Sequence, residues 1–272
     1  IKSFDLSSYV PEQLAIASNS IKSKSEIFDE DIDIIVGPDI AGLVAHESCG
    51  HPFEADRILG REAAQAGESY LDFDCYGTKI GSEEVFVSDD PTIPESMGFY
   101  LFDDEGVESR KRELIKGGVI TDLLHNRETS FKMNIRSNAA SRSVEFDKEP
   151  IIRMSNTFIE PGDYDITELL SDIKKGVYIK NFMEWNIDDR RENQRYVGFE
   201  AYLIKNGELD INVKSPVLEL TSKKFWSSVD ARSKNLDFKA ANCGKGEPMQ
   251  GAPVWTGAPD VRLRNIRIGN RS

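Results

Sequence analysis

Two histidines five positions apart place the tightest constraint on how this chain folds. The 272-residue sequence contains three histidines, and two of them, His46 and His51, stand in one short segment. On a regular α-helix each residue advances by about 100°, so five steps leave the two imidazoles about 140° apart. The side chains can meet only if the helix is deformed. Because Gly50 tolerates unusual backbone angles and Pro52 interrupts helical hydrogen bonding, we predict a π-type bulge or a helix end between Cys49 and Pro52.

The same segment carries the residue types of a catalytic metal site. Glu47 follows His46 directly and completes the pattern H-E-x-x-x-H with His51. Imidazole is a common ligand of zinc, and a neighbouring carboxylate can move protons at a metal-bound water. The familiar zinc-peptidase spacing is one residue shorter, H-E-x-x-H. The competing interpretation is two unrelated histidines at a helix terminus, with Glu47 as a solvated charge.

Two histidines leave a metal site incomplete, because a catalytic zinc usually has three protein ligands and one open position. The third ligand could be a carboxylate, His125 or one of the cysteines. Cys49 is within reach on a helix, although a small buried apolar residue is its commoner role. Cys75 resembles a strand residue, and His125 is most simply a surface or strand-end histidine. Cys243 lies beside Lys245 in a glycine-rich segment that we predict to be a turn, where a thiolate is a plausible ligand.

Short β-branched segments and turn residues dominate the rest of the chain. Residues 32–36 read Ile-Asp-Ile-Ile-Val and predict a strand. A helix is predicted to follow, with Asp39 as its N-cap, and to run into His46. Gly-Gly and Asn-Gly pairs supply the backbone angles of tight hairpin turns, so we predict hairpins over residues 112–124 and 201–213.

Strands outnumber helices in the second half as well. One convincing helix is predicted over Thr167–Lys175, where apolar residues recur on one face. Further strands are predicted at Val85–Val87, Phe99–Phe102, Val217–Leu220 and Val261–Ile268. The strands mostly follow one another rather than alternating with helices. We therefore predict the α+β class, as a large, mostly antiparallel β-rich domain with a metal-binding helix that ends in a distorted turn.

Three polar stretches are predicted to have no role in chemistry. Residues 1–30 are polar and are interpreted as a connector, in which a short helix starts between Pro11 and Ala17. The acidic cluster Asp103–Gly106 matches no calcium-binding loop and is interpreted as a solvated turn. The segment Asp188–Glu192 holds both charge signs and is interpreted as a self-compensating loop.

The composition limits which partners the protein can have and in which cellular compartment it is expected. With 34 basic against 47 acidic residues, the net charge is −13, so the chain lacks the basic footprint of a nucleic-acid binder. No apolar run approaches the roughly 20 residues of a membrane helix, and no signal peptide opens the chain. Three cysteines are an odd number in a chain too long to need disulfide staples. We therefore expect a cytoplasmic protein with no nucleic-acid or membrane partner.

Several further segments form a recognisable series with the histidine motif. The motif continues as Pro52-Phe53-Glu54-Ala55-Asp56. Downstream stand Asp103-Asp104-Glu105-Gly106, Arg153-Met154-Ser155-Asn156-Thr157, Glu200-Ala201-Tyr202-Leu203-Ile204, Cys243-Gly244-Lys245 and Gly251-Ala252-Pro253. In this order and over residues 31–272, the chain resembles the TldD/PmbA family of metallopeptidases. The TldD branch carries H-E-x-x-x-H and the PmbA (TldE) branch generally lacks it, so the chain resembles TldD.

The resemblance implies what the spacing alone leaves open. In this family the two motif histidines and a distant C-terminal cysteine bind zinc, and the motif glutamate activates a water. Carried over to this sequence, that implies one zinc ion on His46, His51 and Cys243, with Glu47 as catalytic base and acid. It also implies a substrate that is a peptide or an unfolded polypeptide. The implied partner is a homologous subunit of the TldD/TldE type, or a second copy in a homodimer.

Family members have a further N-terminal domain, so the chain resembles only their C-terminal, metal-bearing part. We accordingly predict that residues 31–272 form a metallopeptidase C-terminal-type domain and that residues 1–30 lead in from a missing N-terminal region. The leading prediction is a zinc-dependent peptidase. One alternative is a non-catalytic peptide-binding or assembly subunit with a structural metal, which a fourth protein ligand such as Cys49 would favour. Another is a domain that is inactive without the N-terminal region.

Overall fold

A computed structural model of the chain describes residues 5–24, 26, 28, 30–61 and 68–270. Parts of the predicted connector and of the predicted domain, at residues 1–4, 25, 27, 29, 62–67, 271 and 272, lie outside the described residues. The helical segments are α1 Leu6–Lys22, α2 Pro38–Val44, a π-helix Ala45–Gly50, a 3₁₀-helix His51–Phe53, α3 Ala55–Ile58, α4 Arg127–Lys132, α5 Ile166–Ser171 and α6 Ser222–Ser228.

The strands are more numerous than the helices, as the sequence predicts. They are β1 Ile32–Val36, β2 Phe86–Asp89, β3 Arg112–Lys116, β4 Val119–Ile120, β5 Ser141–Arg142, β6 Ile151–Ile152, β7 Asn156–Ile159, β8 Lys175–Ile179, β9 Phe182–Ile187, β10 Asn193–Gly198, β11 Ala201–Lys205, β12 Glu208–Asn212, β13 Pro216–Thr221, β14 Val229–Arg232, β15 Asp237–Lys245, β16 Gln250–Ala258, β17 Val261–Ile266 and β18 Ile268–Asn270.

Three sheets carry most of these strands. One six-stranded sheet has the order β12-β11-β8-β1-β17-β14, a second has the order β15-β16-β7-β2-β3-β4, and a four-stranded sheet has the order β18-β13-β10-β9. Neighbouring strands are antiparallel except in the pairs β1–β8 and β7–β16. The prediction of a mixed, largely antiparallel and strand-rich fold is confirmed.

Both predicted hairpins are present, and turn chemistry explains them. β3 and β4 are joined through Gly117 and Gly118, and β11 and β12 are joined through Asn206 and Gly207; all four turn residues have positive φ. Glycine and asparagine are the residues that adopt this conformation most readily. The composition of the turns was therefore enough to locate these strand pairs.

Other sequence predictions need correction. Phe99–Phe102 is not a strand, because only Phe102 forms a bridge, with Glu108, and no ladder supports the segment. The helix predicted over Thr167–Lys175 ends at Ser171, and Lys175 already begins β8. The strand predicted at Val85–Val87 is displaced toward the C-terminus and runs over Phe86–Asp89.

The N-terminal segment contains more helix than the sequence predicts. Instead of a short helix near Pro11, α1 extends over 17 residues with Pro11 inside it, and most of its residues are exposed. In the part of the chain that the structure describes, no helix is both long enough and apolar enough to cross a membrane. The boundary between residues 30 and 31 stays a prediction.

The helix that leads to the histidines lies against the sheet that contains β15 and β16. α2 begins at Pro38 after Gly37, so Asp39 lies in the first turn rather than at the predicted N-cap. A Cβ on Gly42 would come within 3.2 Å of the Gly257 backbone nitrogen in β16. This close approach, which a side chain would crowd, sets the end of α2 directly over the strands that carry the next part of the site.

Candidate metal centre

The helix widens where the histidine spacing requires it. Over the π-helix Ala45–Gly50, backbone hydrogen bonding shifts to the fifth residue, and the His51 N–H donates to the His46 carbonyl. The two imidazoles therefore lie close, with ring centroids 4.9 Å apart and planes at 84°. Gly50 leaves room for Met154, since a Cβ would stand 1.9 Å from Met154 Sδ and would displace that side chain. The predicted π-type deformation is confirmed, and it begins several residues earlier than the sequence suggests.

Proline removes a hydrogen bond from this turn, and distant side chains replace it. Pro52 has no N–H to offer the carbonyl of Ser48, four residues earlier. That carbonyl accepts hydrogen bonds from the Tyr70 hydroxyl at 2.8 Å and from the Trp226 indole at 3.4 Å. The deformed helix is therefore fixed in place by tertiary contacts, which satisfy a buried acceptor.

Cys243 reaches the histidines from a strand rather than from a turn. The glycine-rich segment continues β15, in which Cys243 pairs with Ala252 of β16, and the turn comes only after Lys245. This corrects the prediction of a turn. Glycine occurs within strands where neighbouring atoms leave little room for a side chain. The Arg153 guanidinium donates to the Cys243 carbonyl and, at 2.8 Å, to the Gln250 carbonyl. These contacts hold the end of the strand beside the π-helix.

The three side chains converge on one buried point. Ligand atoms of His46, His51 and Cys243 all lie within 4.8 Å of one another, and each residue is 5% exposed or less. Cys243 Sγ and His51 Nε2 are 3.3 Å apart. Nitrogen and sulfur ligands of a tetrahedral zinc lie about 2.0–2.3 Å from the ion, which separates neighbouring ligand atoms by about 3.3–3.8 Å. The donor set and the separation of Cys243 from His51 therefore fit a zinc ion.

The electrostatic interactions among these side chains favour a thiolate on Cys243 and a protonated imidazole on His51. Burial disfavours the Cys243 thiolate, but His51 and His46 outweigh it and hold the pKa of the thiol well below its ordinary value. Burial likewise lowers the pKa of His51, yet Cys243 and Glu54 together raise it to about 9. A thiolate is the form of cysteine that binds metal. In addition, His46 Nδ1 is buried without a hydrogen-bond partner among the described residues.

A second group of buried charges supports His51. This Glu54 network consists of Glu54, Asp56, Arg57 and Lys245. Glu54 Oε2 lies 3.1 Å from His51 Nδ1, 3.0 Å from Arg57 Nε and 3.2 Å from Lys245 Nζ. Burial opposes ionisation of Glu54, but Lys245, His51 and Arg57 hold the pKa of its carboxyl well below the ordinary value. An acceptor at Nδ1 keeps a proton on that nitrogen, so Nε2, which faces Cys243, is the nitrogen that would bind a metal once its own proton is lost.

Glu47 lies in the same cleft with a partner that the sequence does not reveal. Its Oε2 accepts a hydrogen bond from Arg191 Nη1 at 2.8 Å, across 144 positions of sequence. The side chains of Glu47 and Arg191 are 8% and 15% exposed. This corrects the prediction that Asp188–Glu192 is a self-compensating loop. Nothing in the sequence distinguishes Arg191 from Arg190 beside it.

The other candidate ligands lie elsewhere. Cys49 is wholly buried in the hydrophobic core, where burial raises the pKa of its thiol well above the ordinary value. Cys75 is buried but lies in a turn region rather than in a strand. His125, predicted as a surface or strand-end histidine, is completely buried and bonds to the Tyr76 hydroxyl at 2.9 Å and to Thr129 Oγ1 at 3.1 Å. Burial lowers the pKa of His125 to about 4.

A cleft gives access to the three converging side chains. It encloses about 510 Å³ and is lined by His46, Glu47, His51 and Cys243 together with residues of β9 and β15. Phe182 and Trp185 of β9 supply aromatic surface to its wall. A cleft of this size, in which polar and charged groups stand beside apolar and aromatic surface, is typical of a small-molecule or peptide site.

Comparison with known proteins places the chain in one family. The model of the PmbA/TldA metallopeptidase C-terminal domain matches residues 29–270. The chain belongs to the TldD/PmbA family. A metalloprotease from Methanothermobacter thermautotrophicus is 36% identical over 237 residues, which cover 87% of this chain and 50% of the relative. A zinc metalloprotease TldD homolog from Saccharolobus solfataricus is 26% identical over 239 residues, 87% of this chain and 51% of the relative.

A solved structure of the TldD/PmbA family supports the same architecture. TldE from Thermococcus kodakarensis superposes with a TM-score of 0.74 at 19% identity, over 98% of this chain and 56% of that protein. At this identity the likeness concerns the fold alone. The chain spans about half the length of the curated relatives it matches.

Proposed function

We propose that the chain is the metal-bearing part of a zinc-dependent peptidase that hydrolyses peptides or unfolded polypeptides. In this proposal His46, His51 and Cys243 hold one zinc ion, and Glu47 is the general base and acid. The observation that carries the proposal is the convergence of three buried nitrogen and sulfur donors within 4.8 Å, next to a carboxylate in an accessible cleft. Membership of a metallopeptidase family supports it.

The roles of the residues follow from their chemistry. A zinc ion, when bound, polarises a scissile carbonyl and lowers the pKa of a coordinated water toward about 7. Glu47 takes the proton from the attacking water and delivers it to the leaving amine. Glu54 orients His51 through Nδ1. Three protein ligands leave room for water and substrate, as in catalytic zinc sites.

We further propose that an extended substrate binds along β15. Among the described strands, β15 pairs with β16 alone and forms the edge of its sheet, and Lys239, Ala241 and Asn242 line the cleft from this strand. A peptide that adds to a strand edge gains affinity through backbone hydrogen bonds, with little side-chain selectivity. This arrangement suits an enzyme that accepts many sequences, provided that they are unfolded.

The chain spans half of its relatives, so complete activity is proposed for the whole protein with its partner. We propose a homologous subunit of the TldD/TldE type, or a second copy, as that partner; one structural neighbour is named TldE. A non-catalytic protein with a structural metal would need a fourth protein ligand. In the described part of the chain, the metal-ligating group has three members.

The first experiment replaces the proposed base. In the complete, zinc-loaded protein, Glu47→Gln keeps the size of the side chain but removes its basic oxygen. Hydrolysis of fluorescein-labelled casein is expected to fall at least about 100-fold, the typical contribution of general acid–base catalysis. Zinc content, measured by mass spectrometry, is expected to stay at one ion per chain. Glu192→Gln on the exposed loop nearby serves as the matched control. A Glu47→Gln enzyme with wild-type activity would refute the proposed role.

A second experiment tests the ligands directly. Crystals of the zinc-loaded protein are expected to give one anomalous peak at the zinc absorption edge, between His46, His51 and Cys243. A peak coordinated by a fourth side chain would favour the structural-metal alternative over catalysis. A peak away from these three residues would contradict the assignment of ligands.

A further inference from the structure

The loop between β9 and β10 is built to present one arginine. The Arg191 N–H donates to the Asp188 carbonyl at 3.0 Å. The Asp188 carboxylate accepts hydrogen bonds from the backbone N–H groups of Glu192 at 2.8 Å and Asn193 at 3.1 Å. An aspartate that bonds to the backbone ahead of it in this way stabilises a tight turn. The position of Arg191 is therefore defined by the fold and not by its own side chain alone.

The backbone of Arg191 adopts a conformation that few residues choose. Its φ is +63°, in the left-handed region that favours glycine. α6 anchors it there, because Ser222 Oγ donates to the Arg191 carbonyl at 2.6 Å and the Ser222 N–H donates to the Glu192 carbonyl at 2.7 Å. Backbone strain of this kind persists only where the surroundings hold it, and it concentrates at functional sites.

Two adjacent arginines have very different surroundings. The side chain of Arg190 is 55% exposed, and its nearest carboxylate, that of Glu68, is 3.9 Å away. The side chain of Arg191 is 15% exposed and bonds to Glu47 at 2.8 Å. A charge-assisted hydrogen bond shielded from water is much stronger than an exposed ion pair. The loop therefore commits Arg191, and not Arg190, to the site.

The contact between Arg191 and Glu47 is single rather than double. Nη1 bonds to Oε2, and no described residue donates to the other carboxylate oxygen, Oε1. A double contact would occupy both oxygens, whereas a single one fixes the side chain and leaves an acceptor for a proton.

We propose that Arg191 is the positioning residue of the reaction: it holds Glu47 by Oε2 so that Oε1 is presented to the attacking water. The inference rests on the proposed function. It adds a residue to the site from a loop that lies far from the histidine motif in sequence. Arg191 acts through Glu47, so its removal affects turnover rather than metal or substrate binding.

The test uses three variants of the complete, zinc-loaded protein with fluorescein-labelled casein as the probe. Arg191→Ala is expected to lower kcat about 10- to 100-fold while KM stays within about threefold, because transition-state stabilisation is lost and binding is kept. Arg191→Lys is expected to restore part of kcat, since an ammonium can reach one oxygen but lacks the planar fork. Arg190→Ala is the matched control and is expected to behave as wild type. A wild-type kcat for Arg191→Ala would overturn the proposal.

A double substitution separates a positioning role from a structural one. If Arg191 acts through Glu47, then adding Arg191→Ala to Glu47→Gln lowers activity no further. A further loss of the same size as in the single variant would show that Arg191 acts on something else, and would overturn the proposal. Activity in Glu47→Gln itself would instead refute the proposed function, so the two failures are distinguishable.

A structural measurement makes the test independent of activity. In crystals of zinc-loaded Arg191→Ala, or of Arg191→Lys if the alanine variant does not fold, the Glu47 carboxylate is expected to move or to occupy more than one rotamer. Density for Glu47 that is unchanged in the alanine variant, or in the lysine variant with its ammonium turned away, would contradict a positioning role.

Discussion

Two groups of buried charge lie within this fold, and they are connected very differently. The first, the Asp89 network, consists of Asp89, Tyr100, Arg112, Ser155 and Thr157. Arg112 pairs with Asp89, and Asp89 also accepts hydrogen bonds from the Ser155 N–H at 2.9 Å, from Ser155 Oγ at 2.6 Å and from Thr157 Oγ1 at 2.7 Å. Both charged residues are completely buried. Each carboxylate oxygen therefore has a partner inside the network.

The Glu54 network is organised around a single oxygen. Oε2 of Glu54 meets His51, Arg57 and Lys245, whereas Oε1 has no hydrogen-bond partner among the described residues. Lys245 also binds Asp56 at 2.7 Å and donates to the Ile152 carbonyl at 2.9 Å. The Glu54 network therefore extends to His51, a proposed metal ligand, whereas the partners of Asp89 all lie within its own network.

The charges of the Asp89 network support the fold, whereas those of the Glu54 network support a site. A closed buried ion pair is costly to break from one side, because the remaining charge loses its partner in a medium of low dielectric constant. A network that ends at a histidine instead controls the orientation and basicity of that histidine. The two networks are expected to respond to substitution in different measurements.

The largest expected effect is on stability, from breaking the Asp89 network. Arg112→Met leaves the Asp89 carboxylate buried without its cation, and the free energy of unfolding is expected to fall by about 3–5 kcal/mol. Zinc affinity of the folded fraction is expected to change less than about threefold. Urea titration measures the first quantity, and competition with a chromophoric chelator measures the second.

Two further variants sharpen that result. The exposed neighbour Arg110 is the control, since Arg110→Ala removes a surface pair with Asp122 at 3.2 Å. Such pairs contribute about 0–1 kcal/mol. The double variant Asp89→Asn with Arg112→Met is expected to be more stable than Arg112→Met alone, because no buried charge is left unpaired. Equal stability of the two would contradict the closed-network interpretation.

The next effect is on zinc affinity, from the Glu54 network. Glu54→Gln keeps an acceptor for His51 but removes the charge, and zinc affinity is expected to weaken about 10- to 100-fold. Asp56→Asn is the matched control: Lys245 keeps its contacts with Glu54 and Ile152, so we expect a change of less than about threefold. The same chelator competition measures both. Equal losses in the two variants would show that general electrostatics, and not the carboxylate charge in contact with His51, controls affinity.

The smallest expected effect concerns acid stability. Burial opposes ionisation of Asp89, yet Arg112 and the donors of Ser155 and Thr157 lower its pKa in the folded state. In the unfolded chain the Asp89 carboxylate therefore takes up a proton at a higher pH, about 3.9. The stability contributed by the Asp89 carboxylate is complete above that pH and is lost as the pH falls through the folded-state pKa. Free energies of unfolding between about pH 6 and pH 3 should fall more steeply for wild type than for Asp89→Asn. Parallel curves would refute this prediction.

The features that the sequence predicted correctly are governed by local chemistry. Gly50 and Pro52 indicated the deformed helix, and the glycine and asparagine turns indicated both hairpins, because each depends on backbone angles that few residues adopt. The spacing of the histidines left two interpretations, a deformed helix in which the imidazoles meet or two unrelated histidines. The structure brings the two histidines together.

What could not be predicted depends on contacts between distant residues. Cys243 is a candidate ligand in the sequence, but its glycine neighbours predict a turn, and only strand pairing brings it to His51 across 192 positions. Arg191 sits among residues of both charge signs, so composition indicated a solvated loop. The sequence predicts His125 as a surface or strand-end histidine, because a strand ends near it, but contacts with α4 and Tyr76 bury it. Burial and partner choice are properties of the assembled fold.

The wide turn between the histidines can also be regarded as an insertion of one residue. Deleting Ser48 would restore the shorter H-E-x-x-H pattern, and a regular helix would again bring the two imidazoles to one face. A five-residue π-turn and a four-residue α-turn both close one turn of helix, so the chain after the deletion, with His51 and Glu54, would keep its direction relative to α2. The loss would be the Ser48 carbonyl, which accepts the hydrogen bonds of Tyr70 and Trp226. A change that appears to repair the motif would therefore remove the tertiary contacts that fix the turn between the two histidines.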